Sequence, residues 1–233
     1  MRFPRPQLRH ALALLLMCTA TPLVWQTAKA LSAGATPDKA NNPRKVGGVV
    51  QPAETCSKAG CHTTLPANGC TGKVEILGLP GCYVAGQTYN LQVKVTDAFA
   101  RRWGFEVGVQ YNEGNFWDYV TAGTLANAPF ARTQLVTSAD GQRSFVTHDP
   151  ASANGDGTFP GLFGAATYDF KWTAPGGTQR QTPVCFYVAG LAADNDQTRA
   201  GDCTYTAKVC LQPCGPVNTK SSTWGSVKSF YRR

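Results

Sequence analysis

From Gly72 onward the chain alternates. In QTYNLQVKVTD, the apolar Tyr89, Leu91, Val93 and Val95 take turns with Asn90, Gln92, Lys94 and Thr96. A repeat of two residues is the period of a β-strand with one face buried. GKVEILGLP carries the same signal at Val74 and Ile76, and RWGFEVGVQY carries it at Trp103, Phe105, Val107, Val109 and Tyr111. TQLVTS and QRSFVTH flank SADGQ, whose Asp140-Gly141 is a hairpin signal. ATYDFKWTAP alternates at Tyr168, Phe170 and Trp172, and CTYTAKVCL at Tyr205, Ala207 and Val209. PVCFYVAGLA is almost wholly apolar, as a central strand buried on both faces requires. About seven or eight short strands separated by turns, with no convincing helix among them, predict an all-β antiparallel sandwich with Greek-key-like connections. Such a scaffold carries its sites on the loops at its two ends.

The first thirty residues read differently. Arg2, Arg5 and Arg9 precede an apolar run from Ala11 to Cys18, and small residues at Ala28 to Ala30 suit a cleavage site. This is the pattern of a secretory signal peptide over 1–30, cut near Ala30. It predicts a protein delivered to the periplasm or beyond, with no membrane span after cleavage. The leader holds four of the 22 Lys and Arg and none of the 14 acids, so the mature charge is 18 against 14, or +4. Four more bases sit in the tail from Lys220, which leaves the body neutral. The high pI is therefore no argument for a nucleic-acid partner. Residues 31–55, rich in Ala, Gly, Pro and Asn, read as an extended, mobile arm. Residues 56–214 form the main unit. In the basic, aromatic tail over 215–233, Thr223 is placed to cap a short helix.

Removing the leader leaves eight cysteines: Cys56, Cys61, Cys70, Cys82, Cys185, Cys203, Cys210 and Cys214. An even count in an exported chain points to disulfides, either four bridges or three with one pair committed elsewhere. Cleavage also removes both methionines and His10, leaving His62 and His148 as the only imidazoles. Cys56, Cys61 and His62 stand together in CSKAGCH. Adjacent Cys61 and His62 do not easily close one tetrahedron, which argues against zinc. A histidine directly after the second cysteine is the adjacency of c-type haem attachment, here with a spacer of four residues where the usual one has two. On that reading Cys56 and Cys61 carry one covalent haem c and His62 binds its iron. Methionine ligation is excluded, and His148 is the one imidazole left for the sixth position. THDPASANGDG reads as a loop, so a surface histidine is the competing account of His148.

Cys56 to Cys210 resembles the bacterial branch of Reeler (reelin-like) domains. The resemblance rests on CSKAGCH, GKVEILGLPGCYVAGQTYNLQVKVTD, RRWGFEVGVQ, GQRSFVTHD, YDFKWTAP, VCFYVAGLAADND and GDCTYTAKVCL, taken in order. It implies an immunoglobulin-like β-sandwich and, for members with the opening motif, a covalently attached haem held by Cys56, Cys61 and His62 with His148 as distal candidate. The longer spacer departs from the pattern, as do the six further cysteines, which read as structural disulfides.

The leading expectation is an exported single-haem c-type cytochrome domain for electron transfer or redox sensing. Trp103, Phe105 and Tyr111 would be candidates for the haem wall, with plain core packing as the alternative. Its partner would be a redox protein or an extracellular electron acceptor. The alternative is a haem-free, disulfide-stapled adhesion or recognition module, in which Cys56–Cys61 is a fourth bridge. An enzyme, such as a peroxidase with an open haem face, has less support. No G-x-S-x-G nucleophile elbow and no phosphate-binding glycine loop is present.

Overall fold

The computed structural model describes residues 35–46, 49–58, 61–112 and 119–215. The predicted leader and the tail helix from Thr223 lie outside these. No helix occurs among the described residues, and none is long and apolar enough to cross a membrane.

Eleven strands follow in order: β1 (Arg44–Val46), β2 (Val49–Gln51), β3 (Lys73–Leu77), β4 (Thr88–Asp97), β5 (Arg102–Tyr111), β6 (Thr124–Asn127), β7 (Thr133–Thr137), β8 (Ser144–His148), β9 (Gly164–Thr173), β10 (Val184–Ala193) and β11 (Cys203–Leu211). Two antiparallel sheets face each other. One has the order β11-β10-β5-β8-β7 and the other β3-β4-β9-β6, while β1 and β2 form a separate ribbon. The expected all-β sandwich is present. β6 and the β1–β2 ribbon were not anticipated, since strands of three or four residues are too short to show a period.

The alternation explains the layers. Leu91, Val93 and Val95 of β4 point inward with Tyr168, Phe170 and Trp172 of β9. They meet Trp103, Phe105, Val107 and Val109 of β5 and Phe186 of β10 in one core. Phe105 stacks on Tyr168 at 4.2 Å, and Trp172 meets Phe186 edge-on at 4.9 Å. Both buried indoles are satisfied: Trp172 Nε1 donates to the Ala122 carbonyl at 2.8 Å and Trp103 Nε1 to that of Leu162 at 2.9 Å. A buried indole needs such an acceptor.

β5 departs from a half-buried strand, because everything from Trp103 to Tyr111 is buried. Its outer face lies under the chain that precedes the sandwich. The Lys39 N–H donates to Glu106 Oε1 at 2.5 Å, and the Ala35 N–H to Thr147 Oγ1 at 3.3 Å. Ala40 is fully buried there in a small second cluster with Phe145, Cys185 and Tyr187. Residues 35–40, part of the stretch 31–55 read above as an arm, therefore lie along the five-stranded sheet as a partial third layer.

Three disulfides pair the six further cysteines: Cys70–Cys203, Cys82–Cys214 and Cys185–Cys210. The first two join residues 133 and 132 positions apart in the sequence. The third staples β10 to β11 at a directly opposed pair. Such bridges are the chemistry of an oxidising compartment and fit an exported or extracellular domain.

Candidate functional site

The four sequence-selected residues converge. Cys56, Cys61, His62 and His148 line one cavity between the N-terminal layer and the outer face of the five-stranded sheet, with Gly104 and Leu191 in its wall. A tight turn delivers the first three: Lys58 N–H donates to the Thr55 carbonyl, Cys61 N–H to that of Lys58 and His62 N–H to that of Cys56, at 3.1, 2.9 and 3.0 Å. Glu54 anchors the turn by pairing with Lys39, Arg44 and, at 2.7 Å, Lys58. Burial alone would raise the Glu54 carboxyl, but these hydrogen bonds hold it well below the usual carboxylate range.

His148 is the last residue of β8 and is buried, not a loop histidine. Its Nδ1 accepts the Phe105 N–H at 3.2 Å and also lies 3.4 Å from the Phe105 carbonyl oxygen. Burial lowers its pKa to about 4, and the leading opposing effect is the Phe105 carbonyl oxygen, which favours the protonated ring. The ring lies where a side chain at position 104 would stand, since a Cβ there would come 3.0 Å from His148 Cε1. His62 faces it from the turn, with Nδ1 2.5 Å from Asp202 Oδ2. Asp202 is 1% exposed and its other oxygen has no partner. Below the turn, burial pushes Glu106 up to about 8, against the backbone hydrogen bond from Lys39, and its Oε2 is unpartnered. Burial, then Glu106, then Cys61 push the Cys56 thiol up to about 12.

These residues do not fit a haem, and the cytochrome expectation is corrected here. The cavity measures about 60 Å³, room for a few water molecules, whereas cofactor-sized ligands occupy pockets of roughly 300–1,000 Å³. Among the described residues, no three His, Cys, Asp or Glu side chains converge as a metal-ion site requires. Iron ligation by His62 and His148 and a haem c on Cys56 and Cys61 are therefore not supported. Trp103, Phe105 and Tyr111, the proposed haem wall, belong to the sandwich core, and of the three Phe105 also lines the cavity. The physical reason is the N-terminal layer, whose Ala35, Thr36 and Lys39 wall the cavity.

Sequence reasoning missed Asp202 and Glu106. A carboxylate at the centre of an otherwise apolar strand was the available signal for Glu106. It also missed one end of the sandwich. There Phe99 is 78% and Phe163 61% exposed, with Leu162 beside them. The Arg101 guanidinium lies 3.5 Å from the Phe163 ring centre, and its Nη1 donates to the Phe99 carbonyl at 3.0 Å. The two loops are tied together, because Gly161 N–H donates to the Arg101 carbonyl at 2.6 Å. Asp97 Oδ1 accepts the Phe99 N–H at 2.8 Å, and its Oδ2 accepts the Tyr205 hydroxyl.

No family model matches the sequence, and no curated protein matches it. Among solved structures it is similar to the human F-spondin reeler domain, 18% identical over 60% of this chain and 89% of that one, at a TM-score of 0.35. It is also similar to a type II cohesin of the Acetivibrio cellulolyticus cellulosome, 9% identical over 61% of this chain and 95% of that one, at 0.33. At these scores the likenesses carry no argument about what this chain binds.

Proposed function

We propose that this chain is a haem-free, disulfide-stabilised recognition module of the periplasm or cell exterior, which binds a partner protein through the Phe99–Phe163 end. The observation that carries the reading is that end itself. Two phenylalanines are held in water on a rigid frame, braced by Arg101, Asp97 and the Trp103–Leu162 hydrogen bond. They add nothing to the core, and exposed apolar groups on braced loops mark interaction sites. The Arg101 guanidinium between them suits a partner with an apolar side chain beside a carboxylate.

Two measurements test the reading. The protein purified from an exporting host is expected to be colourless, with the mass of the bare polypeptide. A visible absorbance that survives denaturation would refute the haem-free part. Phe99→Ser with Phe163→Ser is expected to lower retention on envelope proteins of the producing cells at least tenfold without changing the unfolding midpoint. Equal retention by the variant counts against this end as the binding surface.

A further inference from the structure

We propose that Cys56 and Cys61 are a thiol–disulfide exchange site that closes into a fourth bridge at the His62–His148 cavity, taking small disulfides as its substrate class. The chain's other six described cysteines are already paired, while these two are thiols. The oxidising conditions that made the three bridges act on them as well. Geometry favours pairing with each other. Both belong to one turn, closed by the His62 N–H on the Cys56 carbonyl. Both line the same cavity, and each is partly exposed, so a small disulfide has access.

The chemistry balances without a metal. The Cys61 thiolate attacks one sulfur of a disulfide R–S–S–R, forming a mixed disulfide and expelling RS⁻. Cys56 then attacks the Cys61 sulfur, its proton going to the departing thiolate, and a second RSH leaves. Two protein thiols are oxidised to one disulfide, and one external disulfide is reduced to two thiols. The Cys56 thiol, pushed up by burial, forms its thiolate reluctantly and so suits the second step. Closure would pin the turn that holds His62 against Asp202 and so hold the N-terminal layer on β5. This site is separate from the Phe99–Phe163 end, and either proposal can fail alone.

The test uses the full mature protein. It is briefly reduced, exposed to oxidised glutathione, alkylated with iodoacetamide and mapped by mass spectrometry. The expected result is a peptide spanning Cys56 to Cys61 that is unalkylated and lighter by two hydrogens. Cys56→Ser is expected to stop with one glutathione on Cys61. The proposal is overturned if both thiols are alkylated under conditions that restore the other three bridges. It is equally overturned by a pairing of Cys56 or Cys61 with another cysteine, or by any adduct there that is not a sulfur–sulfur bond.

Discussion

Glu106 is a carboxyl group set into the apolar centre of β5, and its position makes it a pH-dependent weak point. Its pKa is about 8 in the folded chain, against an ordinary 4.5. Between those values the folded protein keeps a proton that the unfolded chain has released, so stability falls as pH rises through that window. His148 works at the other end. Its pKa is about 4 when folded against 6.5 when free, so its contribution is lost as pH falls from 6.5 towards 4. The two slopes oppose each other between pH 4.5 and 6.5, which predicts a broad stability maximum there. Urea midpoints across this range check it. Glu106→Gln is expected to flatten the alkaline limb and leave the acid limb in place. Gly104 makes a second prediction at this scale. Gly104→Ala crowds the His148 ring, and overpacking of this kind costs about 1–3 kcal/mol. The matching spectroscopic sign is a shifted His148 ring resonance.

The N-terminal layer is the element on which the site depends, and Glu54 is the residue on which the layer depends. One carboxylate holds Lys39, Arg44 and Lys58, and Lys39 in turn delivers its N–H to Glu106. Glu54→Ala is expected to cost about 1.5–3 kcal/mol, the range for hydrogen bonds to charged groups. The loss belongs to the layer and not to the core. Hydrogen exchange is expected to rise over residues 35–58 while β4, β5, β9 and β10 stay protected. Uniform loss of protection would mean that the layer and sandwich unfold as one unit. The layer was hard to read in sequence because its apolar contact with the sheet rests on isolated residues such as Ala40, which set up no period. The site was half legible. Counting histidines and cysteines brought Cys56, Cys61, His62 and His148 together, and the fold places them in one cavity. Asp202 precedes β11 in a stretch that carries no motif, and Glu106 was marked only by being the one carboxylate of β5.

Across the whole molecule, two long-range disulfides hold both ends of the described sandwich chain. Cys70–Cys203 ties the approach to β3 to the start of β11, and Cys82–Cys214 ties the β3–β4 connection to the segment after β11. Bridges over such long loops restrict the unfolded chain most in the chain-entropy account, and removing a native bridge typically costs about 2–5 kcal/mol. Cys82→Ser with Cys214→Ser is therefore expected to lower the unfolding free energy by that amount, read from the midpoint and slope of urea unfolding. Cys185→Ser with Cys210→Ser, which opens a separation of only 25 residues between strands already paired along their length, is expected to cost less.

By itself the sequence determined the two-layer β architecture and the content of the core. Strand alternation is a local property, and eight of the eleven strands show it, form an apolar run or flank a turn signal. It also determined that CSKAGCH and His148 were the residues to watch. Only the tertiary structure decided which cysteines pair, that the N-terminal segment covers β5, and how much room that cover leaves beside His62 and His148. Two of the three pairings join segments more than a hundred residues apart, and a cavity's volume is what remains after several elements have packed. Neither quantity is written in the period of any one stretch. The same adjacency of cysteine and histidine that suggested a haem therefore ends, under that cover, as a small cavity with two thiols at its edge.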